Sequence, residues 1–172
     1  MRTMITILLA MAASIAPAAA RGDDATATIA KFKEKNAKIA KEFDEAYGYA
    51  VFPSVGKGGL FYFGGAHGKG SVFEQGTKIG TSSLTQATVG LQLGGQLYSE
   101  AIFFKDKTAL DDFKRGNFVL GAQASAVAVT ARASGDLPYN SGVAIITMAK
   151  GGLMYEATVG GQKFTYTPLA KK

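Results

Sequence analysis

The sequence predicts an α+β fold: a mainly antiparallel or barrel-like β-sheet, an amphipathic helix ahead of it and one short helix inside it. Three observations carry that reading. Over 88–97, Val89, Leu91, Leu93 and Leu97 alternate with Thr88, Gly90, Gln92 and Gln96, the period of a strand. From Tyr49 to Phe104, glycines separate short apolar or aromatic segments, as in a tightly turned sheet. Ahead of that run, residues 25–47 carry apolar side chains at helical spacing instead.

The first twenty residues stand apart from this plan. Arg2 supplies a positive start, Ile5 to Ala13 a short apolar run, and Ala18-Ala19-Ala20 a small-residue cleavage site. That is a secretory signal, too short to remain as a spanning helix, with cleavage expected after Ala20 and a single domain over 21–172. The chain contains no cysteine, so no thiol is available for a lipoprotein anchor and the core must hold without disulfides. A periplasmic or secreted location is expected, without lipidation. The formal net charge is +6, one less without Arg2; it suits an anionic lipid surface or an acidic polymer but requires neither.

Asp23-Asp24 can cap a helix over 25–47 and complement its dipole. Steps of 100° place Ile29, Phe32, Ile39, Ala40, Phe43, Ala46 and Tyr47 on one face, interrupted by Asn36, with lysines and glutamates around the rest. Gly48 is the expected stop. Two readings of this helix stand side by side. Its apolar stripe packs on the sheet and its lysines stay in water, or the lysine-rich amphipathic surface meets a membrane. Strands are expected over 49–55, 59–66, 69–75, 77–83 and 88–104, with a turn starting at Gly76. Asp106 reads as the N-cap of a short helix to Arg115, stopped by Gly116. Residues 118–131, rich in alanine and valine, read as an interior strand, and 132–140 as a loop. Strands over 143–148, 153–159 and 163–167 complete the β-rich body, 49–168. Lys57-Gly58-Gly59-Leu60 is echoed by Lys150-Gly151-Gly152-Leu153, as two similar turns at one rim of the sheet would be.

Few residues of the chain carry a chemical signature. His67 is the single histidine, so zinc ligation of the usual kind is excluded. Gly68-Lys69 is followed by Gly70, and Gly56-Lys57 by Gly58, so neither glycine loop is a phosphate-binding loop, which needs Ser or Thr there. No Gly-x-Ser-x-Gly elbow occurs, and Asp111-Asp112 diverge on a helix. No nucleic-acid motif accompanies the basic charge. These absences point to a non-enzymatic protein with no cofactor, no metal and no nucleic-acid partner.

The stretch Val51-Phe52-Pro53-Ser54-Val55-Gly56-Lys57-Gly58-Gly59 resembles the SYLF domain family, as do Gly65-Ala66-His67-Gly68-Lys69-Gly70, Val89-Gly90-Leu91-Gln92-Leu93-Gly94-Gly95-Gln96 and Lys150-Gly151-Gly152-Leu153. The family includes eukaryotic endocytic adaptors that bind phosphoinositides and actin, and bacterial secreted proteins. The resemblance implies lipid binding through the amphipathic segment ahead of the first strand, here Lys31, Phe32, Lys35, Lys38, Lys41 and Phe43, with Lys57 and Lys69 on the adjoining Lys-Gly loops. Eukaryotic members often carry a tryptophan before a Ser-x-Pro-Ser-like stretch; this chain has Gly80-Thr81-Ser82-Ser83-Leu84 and no tryptophan. The function expected is docking on anionic phospholipid of a bacterial envelope. The alternatives are a structural or interaction protein that binds a protein or polymer, actin-binding-like as in the eukaryotic relatives, and a small membrane barrel, against which the first helix counts.

Overall fold

The structure, a computed structural model, describes residues 22–116, 119–120, 127–128 and 137–170. The expected signal segment lies outside these residues, as does most of the expected strand over 118–131. Two helices, α1 (Gly22–Lys35) and α2 (Ala37–Glu45), precede a long strand β1 (Gly48–Glu74) and its antiparallel partner β2 (Thr77–Phe104). Helix α3 (Lys107–Lys114) follows, then two-residue strands β3 (Val119–Leu120) and β4 (Val127–Ala128), and finally the long β5 (Val143–Pro168). The sheet order is β1-β2-β5-β3, with β4 also on β5. This is the expected α+β architecture with its sheet.

Asn36 explains why one expected helix is two. Its backbone is extended (φ −157°, ψ 124°), and its side chain accepts a hydrogen bond from the Lys38 N–H, so it caps α2. Asp106 caps α3 in the same way, accepting from Ala109 N–H at 2.9 Å. α1 begins at Gly22, so Asp23 and Asp24 lie within its first turn instead of capping it.

The glycines do something other than separate strands. β1, β2 and β5 run through 27, 28 and 26 residues, with glycines inside the hydrogen-bonded ladders. In the run 49–104 the tight turn falls at Gln75-Gly76, both at positive φ (48° and 77°). Elsewhere glycine allows the strand to fold back on itself. A Cβ on Gly70 would stand 2.5 Å from the Val51 carbonyl oxygen, one on Gly68 2.8 Å from Val55 Cγ2, and one on Gly48 2.8 Å from the Phe73 carbonyl oxygen. The two ends of β1 therefore lie against each other, and the stretch between them, roughly 56–65, must arch over. β2 remains paired to it and β5 to β2, so both arch with it.

Folding the sheet in half creates its core. Phe52, Val72, Leu84, Ile102, Phe104 and Phe164 are fully buried between the halves, where the Phe52 and Phe164 rings stand 5.7 Å apart. A second cluster lies on the other face of the proximal half. There Phe32, Ile39 and Phe43 from the helices cover Tyr49, Val51, Ala101 and Phe103, with Phe43 edge-on to Phe103 at 4.8 Å. β3 and β4 pair with β5 at its outer side, so the described parts of 118–131 flank the sheet and the interior place belongs to β5.

The close approach at Gly70 gives a direct test. Gly70→Ala is expected to lower stability by about 1–3 kcal/mol in urea unfolding, because backbone must move to admit the methyl. Gly58→Ala, whose Cβ would meet nothing nearer than the Gly94 carbonyl oxygen at 3.9 Å, is expected to change stability by less than about 0.5 kcal/mol. Equal effects at the two sites would contradict the folded-back strand.

Candidate functional site

The arch departs from the packing of the rest of the molecule. On β1, Leu60, Phe61, Tyr62 and Phe63 are all exposed; on β2, so are Val89, Leu91, Leu93 and Leu97, the eight ranging from 48% to 74%. Register sets Leu60 opposite Leu93 and Phe63 opposite Val89, which joins the two groups into one band. Between Phe61 and Phe63 the register shifts, with the extra residue on β2, where Gly90 has φ 141°, and with Phe61 of β1 at φ 57°.

Strand parity shows which way the band faces. Pairing of β2 with β5 runs without a shift from Gly80 to Leu97. Leu84, Tyr98 and Ile102 belong to the core between the sheet halves, so even-numbered positions of β2 share the concave side and odd-numbered ones the convex side. The convex side carries Val89, Leu91, Leu93 and Leu97; the concave side carries half-buried Gln86 and Gln96 with buried Thr88 and Glu100. On β2 the arch is apolar outward and polar inward.

Glu100 marks the neck where the halves meet. It pairs with Phe52 and Thr147 in one half, while its Oε2 accepts a 3.0 Å hydrogen bond from Gln162 Nε2 of the other. Oε1 is buried without a partner among the described residues. Burial pushes the carboxyl up to about 7, against the lowering effects of the Gln162 bond and the Lys57 charge. Ser99, beside it, donates to the Pro53 carbonyl oxygen at 2.8 Å.

The residues expected from sequence fall into three groups. Phe32 and Phe43 are 0% and 5% exposed, inside the cluster beneath the helices, so they form no outer surface; their apolar stripe packs on the sheet, the first of the two readings of the helix. Lys31, Lys35, Lys38 and Lys41 are exposed on the helices, but those helices hold five lysines and six carboxylates. Lys33 pairs with Asp44 at 2.6 Å and Lys41 with Glu45 at 3.7 Å, and a cleft of about 330 Å³ is lined by Lys38, Lys41, Glu42, Glu45 and Leu137 in balanced charge. Lys57 and Lys69 flank the arch, Lys57 half-buried opposite Gln96 and Lys69 exposed opposite Ser83.

The sequence echo is spatial. Lys57 lies opposite Gln96, which pairs on its other side with Gly152, so the two Lys-Gly-Gly segments sit at the same shoulder of the arch. Lys163 lies at the other shoulder, opposite Thr85. Across the three long strands there are five lysines (57, 69, 78, 150 and 163) and three carboxylates. Of those three, Glu100 is buried and Glu74 accepts a 2.7 Å bond from the Tyr47 hydroxyl. Around the arch itself, Lys57, Lys69, Lys150 and Lys163 stand against one carboxylate of the strands, Glu156, in register with Gln92, so positive charge is in excess there and not on the helices. Leu60–Phe63 and the convex face were missed in the sequence because alternation shows that a strand has two faces, not which one is buried. No cluster of metal-ligating side chains occurs among the described residues, and no described helix is long and apolar enough to cross a membrane.

Glu100 makes stability depend on pH. Its folded value lies above the ordinary 4.5, so the folded chain keeps a proton that the unfolded chain loses, and the group's contribution falls as pH rises from about 4.5 to about 7. Glu100→Gln removes that dependence. Relative to wild type, the variant is expected to gain up to about 3 kcal/mol between pH 4.5 and pH 8 in urea unfolding. A difference constant across that range would show that the carboxyl titrates normally.

The profile of the family described as "Ysc84: Las17-binding protein actin regulator" matches residues 85–168, which comprise most of β2, α3 and β5. "Beta cell expansion factor A" of Aeromonas veronii is 31% identical over 140 residues, covering 81% of this chain and 52% of that protein. The chain thus spans about half the length of this curated relative.

Proposed function

The chain belongs to the SYLF (Ysc84) domain family, and from that premise we propose that it is a non-enzymatic module that docks on the anionic phospholipid of a bacterial envelope, on its periplasmic or secreted side. The observation that carries this reading is the distribution of charge. On the long strands, Lys57, Lys69, Lys78, Lys150 and Lys163 outnumber the three carboxylates Glu74, Glu100 and Glu156, of which Glu100 is buried. Anionic headgroups attract such a surface at about 1 kcal/mol per lysine near the bilayer. Lys31, Lys35, Lys38 and Lys41 add to the attraction, each offset by the carboxylates on the same helices.

Vesicle flotation tests the proposal. The protein is expected to float with phosphatidylglycerol vesicles, not with phosphatidylcholine vesicles, and to be released by salt. Lys69→Glu with Lys163→Glu should weaken flotation more than Lys31→Glu with Lys35→Glu, by roughly tenfold or more in partitioning. Indifference to lipid charge would refute docking by lysines.

A protein partner is the second reading, favoured by the family's description as binding a regulator of actin. Cosedimentation with envelope fractions stripped of lipid would support it over the first.

A further inference from the structure

We propose that the convex face of the arch enters the acyl-chain region of the bilayer, a contact that rests on the docking reading above and adds hydrocarbon to its headgroup chemistry. The lysines account for attraction to an anionic surface. They do not account for Leu60, Phe61, Tyr62 and Phe63, four consecutive exposed apolar or aromatic residues in a chain whose other phenylalanines, among those described, are buried.

Three features select hydrocarbon as the occupant. The first is the inverted parity of β2. Leu91 and Leu93 point outward while Thr88 and Glu100 are buried on the concave side. Strands that face lipid are apolar outward and polar inward; strands that face water are the reverse. The second is the register of β1, which sets exposed Leu60 opposite Leu93 of the convex side and exposed Phe61 opposite Gln92 of the concave side, so apolar surface stands on both faces of β1. A rigid protein partner, including a second copy of this chain, covers one face, whereas acyl chains surround both. The third is the placement of charge. Lys57 and Lys150 lie towards one shoulder and Lys69 and Lys163 towards the other, which sets cations at headgroup level when the crest between them is immersed. Tyr62 adds an amphipathic ring of the kind enriched at the interface.

The paired strands satisfy one another through the arch, and the edge of β1, unpaired among the described residues, restricts immersion to the outer acyl region. The arch therefore enters roughly 5–10 Å, as interfacial elements do, and does not span.

The chain has no tryptophan, so one introduced indole is a clean reporter. Leu91→Trp places it on the convex face, and Thr108→Trp places it on α3 as a control. With phosphatidylglycerol vesicles, emission of the Leu91→Trp protein is expected to shift to the blue and to be quenched by lipids brominated on their acyl chains; the control is expected to do neither. Leu91→Glu with Leu93→Glu should lower vesicle partitioning by about tenfold or more, with unchanged thermal unfolding. Flotation with an unshifted, unquenched indole would overturn insertion and leave docking standing. Absence of flotation in wild type would overturn both. A blue shift that grows with protein concentration without vesicles would instead make the arch a contact between copies, and would overturn the proposal.

Discussion

The structure depends on one close approach, that of β1 to itself. Gly68 and Gly70 lie against Ser54, Val55, Val51 and Phe52 at distances that leave no room for a Cβ. This contact turns a three-stranded sheet, which alone would bury one face at most, into two layers around a common core. Phe52 can then meet Phe164, and Phe113 of α3 can meet both Phe104 and Phe164, at ring separations of 4.9 and 5.3 Å. The same contact requires the residues between the halves to arch outward, where no described element forms a second layer over them. Core and exposed crest are two consequences of a single fold-back.

That constraint also accounts for Glu100. At the neck, the inner face passes from the aromatic core to the polar concave side of the arch, and Glu100 stands at the transition with Gln162 reaching it from the opposite half. A carboxylate with one oxygen unpaired is a costly residue to bury there. Held neutral, it joins the halves through the Gln162 bond; ionised, it keeps that bond but carries an uncompensated charge, eased by Lys57. The arch is thus tied to the body through a group whose charge changes near neutral pH.

Much of this was legible in the sequence. Alternation over 88–97 identified a strand and Asp106 marked the start of α3; the Lys-Gly-Gly echo marked two segments at one shoulder, which lie inside β1 and β5 and are not the turns expected. The glycine-punctuated run misled because glycine serves two needs, positive φ in turns and close backbone approach, and the sequence does not distinguish them. Gly76 is of the first kind; Gly48, Gly68 and Gly70 are of the second. Asn36 was visible as a break in the apolar stripe, but its capping role depends on a local backbone angle. The exposed band could not be read from pattern at all. Val89, Leu91, Leu93 and Leu97 look like a core-facing stripe, and only the fold-back determines that the opposite face is the inner one.

The same packing bears on which element of the chain can meet a membrane. An amphipathic helix can use its apolar stripe once. Phe32, Ile39 and Phe43 spend theirs on Tyr49, Val51 and Phe103, and lifting the helices away would return all six side chains to water or lipid. Each such side chain contributes about 1.5–3 kcal/mol on burial, so release costs several kcal/mol even where lipid recovers the helix's share. Four lysines near anionic headgroups return about 1 kcal/mol each, reduced by the carboxylates beside them. The arch has no such cost, because its apolar residues are already exposed and immersion removes them from water without uncovering anything else. On that balance the helices remain as the lid of the core, and the proposed membrane contact falls to the crest that the fold-back of β1 leaves exposed.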